Sequence, residues 1–115
     1  INENSYIESE ITLTAKPPKT FSKLKTLEAL KNHIKLNKKP DIDNCIKTIY
    51  DSCEGIFFFN DSQIIKETSL KRYDCEESTN IIFYIFQQPN VKGRLTNDLL
   101  KNESYDIQQY MEGLK

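Results

Sequence analysis

The sequence predicts a single two-layer α/β (α+β) domain, with a mixed β-sheet packed under helices. Three observations carry this. An alternating stretch near the start reads as a strand. Two stretches with apolar residues every three or four positions follow as helices, and two further β-rich stretches come after them. A length of 115 residues suits one core of modest size.

The elements follow in order. Over residues 7–15, Ile7, Ser9, Ile11, Leu13 and Ala15 alternate with Glu8, Glu10, Thr12 and Thr14. That pattern is a strand with one wet face. Pro17 and Pro18 end it, because proline has no N–H to give to a ladder. Phe21, Leu24, Leu27 and Leu30 recur every three residues and predict a short helix with its apolar side there, capped by Thr20 or Ser22. Residues 32–40 read as a basic connector. Asp41 opens the next helix, since an aspartate accepts from free backbone N–H groups and faces the positive end of the helix dipole. This helix runs to about Glu54, with Gly55 ending it. Its apolar stripe is Ile42, Cys45, Ile46, Ile49 and Cys53, while Asp43, Lys47 and Asp51 stack along another edge. Phe57, Phe58 and Phe59 are expected in the core, and Asn60, Asp61 and Ser62 form a turn held by Ser62 and Gln63. Strands are predicted at residues 63–73 and 80–86, joined by a polar turn. Residues 96–111 are predicted as one helix, with Leu99, Leu100, Ile107, Tyr110 and Met111 on its apolar side. Residues 1–86 are expected to form the main domain. Residues 87–115 are a loop and helix that either join it or reach a partner.

Composition excludes several classes. The longest apolar run is six residues, 81–86, with a second of four at 56–59, against about 20 for a membrane span. No basic segment followed by an apolar stretch marks a secretory signal. The sequence opens at Ile1 rather than methionine, so it reads as a processed chain or a fragment. Cys45 and Cys53 lie about 12 Å apart along one helix, too far for a disulfide. An odd cysteine count without a CxxC fits a reducing cytoplasm. With one histidine, His33, and no cysteine pair, a zinc site is disfavoured. Any metal would be held by carboxylate oxygens, which suits Mg²⁺ or Mn²⁺. His33 reads as a surface residue rather than a catalytic base.

The net charge of −1 hides an asymmetry: residues 16–39 carry +7 and residues 40–86 carry −5. The first block is either a solvated lysine-rich surface or an arm that contacts phosphate beside an acidic site. The acids that invite attention are Asp41, Asp43 and Asp61. If the strand after Asp61 passes the helix start, their carboxylates converge, and such a cluster needs a cation to neutralise it. Lys47, one turn after Asp43, can reach a phosphate or pair with Asp43 or Asp51. An EF-hand is excluded, because the glycine and glutamate of its loop are missing.

The stretch Lys38-Lys39-Pro40-Asp41-Ile42-Asp43-Asn44, then Lys47, Asp51, Gly55 and Asp61-Ser62-Gln63-Ile64, resembles the central motif of the RusA family of crossover-junction endodeoxyribonucleases, common in phages and prophages. The resemblance is tight over about 30 residues and looser on either side. It implies a homodimer in a bacterial cytoplasm that binds four-way (Holliday) DNA junctions and makes paired symmetric nicks with Mg²⁺, Mn²⁺ being the alternative. It places metal binding on Asp41, Asp43 and Asp61, and a required lysine on Lys47. It gives Asp51 the role of orienting Lys47. The family turn usually carries two consecutive aspartates; here the first is Asn60, which offers one oxygen. Family members also usually have an upstream strand and basic segment ahead of the region where this chain begins. Lys35, Lys38, Lys39, Lys71 and Arg72 are the expected DNA contacts. Residues 87–115 match nothing in the family pattern and are expected to serve dimerisation or a protein partner. The rival expectations are a metal nuclease for other DNA structures, or a RusA-like module that binds without cutting.

Overall fold

The computed structural model describes residues 1–114. Its central strand is β1 (Ser5–Ala15), flanked by β2 (Ile64–Tyr73) in parallel and β3 (Ser78–Gln87) antiparallel, giving a mixed sheet of order β2-β1-β3. Two helices follow β1, α1 (Lys23–Leu30) and α2 (Ile42–Cys53). Beyond β3 come α3 (Asn97–Lys101) and α4 (Tyr105–Glu112). The predicted α+β class is what forms.

The alternation of β1 sets the layers. Ser5, Ile7, Ser9, Ile11 and Leu13 are all buried, on the side the helices cover. Burying an Ile or Leu side chain contributes about 1.5–3 kcal/mol, so β1 dominates the core. At one end Ile7 packs with Cys53 and Phe58, joined by Ile49, Tyr50, Ile64 and Phe83. At the other, Ala29, Leu36 and Tyr73 form a second cluster with Ala15, Phe21 and Ile34. The connector is thus more than a basic loop: Leu36 and Ile34 pin it to the sheet.

Several expectations need correcting. In α1 the buried residue is Ala29, while Leu24 and Leu27 are exposed. The helix, capped by Ser22, meets the sheet along a narrower line than the leucine spacing suggested. Of the three consecutive phenylalanines only Phe58 enters the core; Phe57 and Phe59 are exposed, because the chain there turns rather than running as a strand or helix. The polar turn joins β2 to β3 as expected, but the two strands are not neighbours in the sheet. It crosses the end of β1, held by Asp74 N donating to Ala15 O (2.9 Å) and Thr14 Oγ1 donating to Glu76 O (2.7 Å). The single C-terminal helix is two. Ser104 caps α4 by accepting from Ile107 N at 3.4 Å, and such a residue competes with the helix ladder that would otherwise run through it.

Among the described residues neither C-terminal helix makes an extended contact with the sheet, and Leu95, Leu99, Ile107, Tyr110 and Leu114 are exposed. The radius of gyration is 21.7 Å, against about 13 Å for a compact chain of 100 residues.

Candidate functional site

The acidic segment starts at Asp41, the N-cap of α2. Its backbone carbonyl accepts from Cys45 N (3.2 Å), but its side chain makes no capping hydrogen bond. The carboxylate is therefore not used by the helix. Asp43, in the first turn, is exposed and accepts from Asn44 N at 3.0 Å through Oδ1. The helix ends where expected: Glu54 is the C-cap and Gly55 has φ +81°, the left-handed conformation glycine adopts without strain.

An open cleft of about 480 Å³ runs between α2 and β2, lined by Asp43, Lys47, Asp51, Asp61, Glu67 and Tyr50 with Ile42 and Ile46 beneath. Asp43, Lys47 and Asp51 reach it from one edge of α2, as their spacing predicts. Lys47 makes no ion pair with either neighbour among the described residues. Asp61 comes from the 3₁₀ turn Asp61–Gln63 ahead of β2.

That turn is tightly built. Asn60 Oδ1 accepts from Ser62 N at 2.9 Å, and Gln63 Oε1 accepts from Phe59 N at 2.8 Å. Gln63 Nε2 donates to Asn2 O (2.9 Å) and Ser5 O (3.0 Å), tying the turn to the start of β1. The one oxygen of Asn60 thus serves the turn that presents Asp61.

Glu67 is the cleft residue that the sequence pattern did not reveal. It accepts from Tyr50 Oη and from Ser69 Oγ, each at 3.0 Å. Burial, reinforced by this carboxylate, pushes the Tyr50 hydroxyl up to about 12. A signal was available. Counting back by twos from the buried Tyr73 gives Lys71, Ser69 and Glu67, three polar residues on the covered face of β2.

The donor chemistry of the cleft fits a hard divalent cation, because the potential ligands lining it are oxygens, four carboxylates and the Tyr50 hydroxyl, with no histidine or cysteine among the described lining residues. The three predicted ligands are not gathered at one point. Asp41 does not line the cleft. β2 runs opposite to α2, since Pro40 meets Lys71 while Tyr50 meets Glu67. Asp43 and Asp61 therefore approach from different ends. Among the described residues no three acids stand close enough to share an ion.

The predicted DNA contacts fall in two groups. Lys38 and Lys39 are exposed on the loop before Asp41. Lys35 donates to Asn32 O (2.7 Å), Arg72 to Leu30 O and Tyr73 O (both 3.4 Å), and Lys71 to Lys38 O and Pro40 O. His33 is exposed and bound to Glu28 (2.6 Å), far in sequence from the cleft.

A mixed sheet carrying an open, acid-lined cleft with one lysine defines the class, an α+β protein with a negatively charged groove beside its sheet. Within it, the sequence model for Endodeoxyribonuclease RusA matches residues 2–83, and the chain belongs to that family. No curated protein and no solved structure matches the chain. Among the described residues no helix is long and apolar enough to cross a membrane.

Proposed function

We propose that this chain is a Mg²⁺-dependent endonuclease that resolves Holliday junctions by paired, symmetric cleavage, acting as a homodimer on branched DNA in a bacterial cytoplasm, within a phage or prophage. The observation that carries the reading is the family match over residues 2–83 together with the cleft that Asp43, Lys47, Asp51 and Asp61 line.

In this reading Asp43 and Asp61 offer carboxylates to the cation from the two ends of the cleft, with Asp41 outside its lining, and Mn²⁺ can replace Mg²⁺. A bound divalent ion supplies Lewis acidity toward the phosphate oxygens. Lys47 offers its ammonium to the scissile phosphate, where charge grows in the transition state. Asp51, one turn further on, lines the same cleft and offers a carboxylate toward which Lys47 can be oriented. Lys38 and Lys39 contact the DNA backbone and supply the salt-dependent part of binding.

The test is cleavage of a labelled synthetic four-way junction beside matched linear duplex, with Mg²⁺ and with EDTA. The wild type is expected to nick the junction symmetrically and only with metal. Asp43→Asn is expected to lose cleavage and keep junction binding, and Lys47→Ala to lose about 10²–10³ in rate. Junction binding without any cleavage by the wild type would mean a module that binds and does not cut.

A further inference from the structure

Lys71 sits on β2 opposite Leu13 of β1, on the sheet face covered by the helices. Its side chain is half-buried, and an ammonium in that position needs acceptors. No carboxylate lies within ion-pairing distance among the described residues. The acceptors are two backbone carbonyls from a loop more than thirty positions away, Lys38 O and Pro40 O, the latter at 2.9 Å. Pro40 immediately precedes Asp41, whose own side chain does nothing to fix the helix start. A lysine is well suited to hold such a loop, because its long stem spans the gap and its three N–H donors can serve two carbonyls at once.

We infer that Lys71 is a positioning residue that anchors the loop ahead of α2 and so fixes where Asp41 and Asp43 present their carboxylates. It is not a phosphate contact. The inference rests on reading those acids as metal-binding. The arrangement is that of an outer partner orienting metal ligands, whose removal costs about 10–100-fold in metal affinity or activity.

The experiment compares full-length wild type with Lys71→Met, which keeps the stem and removes the donors, and Lys71→Arg, which keeps donors and charge. Amide hydrogen exchange is followed without metal, junction affinity is measured in EDTA at several salt concentrations, and Mg²⁺ is titrated into the cleavage reaction. Lys71→Met is expected to speed exchange at residues 38–42 and leave β1 unchanged. Junction affinity and its salt dependence should stay at the wild-type level, while the Mg²⁺ needed for half-maximal cleavage rises about tenfold or more. Lys71→Arg should restore most of this. The inference is overturned if exchange at residues 38–42 is unchanged while junction affinity falls and the salt slope drops by about one, the signature of a lost phosphate contact. A wild type that does not cleave at any Mg²⁺ concentration would overturn the metal-nuclease reading instead. In that case the exchange data alone decide the anchoring.

Discussion

Ser9 lies in the middle of the covered face of β1, between Ile7 and Ile11, and is 1% exposed. Its hydroxyl has no hydrogen-bond partner among the described residues. A buried hydroxyl left unpaired costs about 1–3 kcal/mol. Ser9→Ala is therefore expected to leave stability unchanged or raise it by about 1 kcal/mol, read as the midpoint of thermal unfolding. A clear drop would show that the hydroxyl is satisfied after all. Tyr50 makes the complementary case. Its hydroxyl is pushed up to about 12 from an ordinary value of 10.0, first by burial and then by Glu67. A pKa raised on folding stabilises the folded state below the ordinary value, and that contribution disappears as pH climbs from about 10 to about 12. An alkaline titration followed by tyrosinate absorbance should show a late step that Tyr50→Phe lacks. An identical curve in the two proteins would place Tyr50 in a wetter setting than this.

At the scale of elements, legibility followed periodicity. β1 and α2 were readable because both carry sustained patterns, period two in one and an apolar stripe in the other, bounded by Pro17 and Gly55. The acidic edge of α2 came with it, since Asp43, Lys47 and Asp51 must share an edge once the helix exists. What failed depended on contacts between elements. Nothing in the run from Asp74 to Thr79 distinguishes a hairpin from a turn crossing the end of β1. The difference lies in Thr14, whose Oγ1 lies 2.7 Å from both Glu76 O and Ser78 Oγ. In sequence Thr14 belongs to the wet side of its strand, yet it is buried. Glu67 escaped notice for a similar reason. The register between β1 and β2 shifts at Ile7/Glu8, leaving Ile65 as the extra residue, so alternation counted forward from Ile64 assigns β2 to the wrong faces. Thr14→Val keeps the shape and removes the hydroxyl. It should cost about 1–3 kcal/mol and lower the thermal midpoint, measured by circular dichroism. An unchanged midpoint would mean that the crossing is held by the Asp74–Ala15 bond alone.

The whole molecule carries more apolar surface than one chain can cover. β3 is apolar at every position from Ile81 to Phe86, the pattern of a strand buried on both faces. Yet it is an edge strand, and Ile82 and Ile85, on opposite faces, stay 48% and 46% exposed. Its outer edge offers unpaired N–H and C=O groups along ten residues. The C-terminal segment adds further exposed leucines and tyrosines. On the proposed function the partner is a second copy of the chain, and pairing the same strand in both copies would make a closed two-fold contact. Paired nicks on a four-way junction need two clefts held at a fixed separation, so assembly and symmetric cleavage should fail together. Ile82→Lys and Ile85→Lys place a charge on either face of β3, away from the cleft. Sedimentation velocity is expected to show a dimer for the wild type and monomers for these variants, with paired cleavage lost and residual nicks uncoupled. A wild type that sediments as a monomer at every concentration would remove the dimer from the mechanism. Variants that stay dimeric would move the contact from β3 to the C-terminal helices.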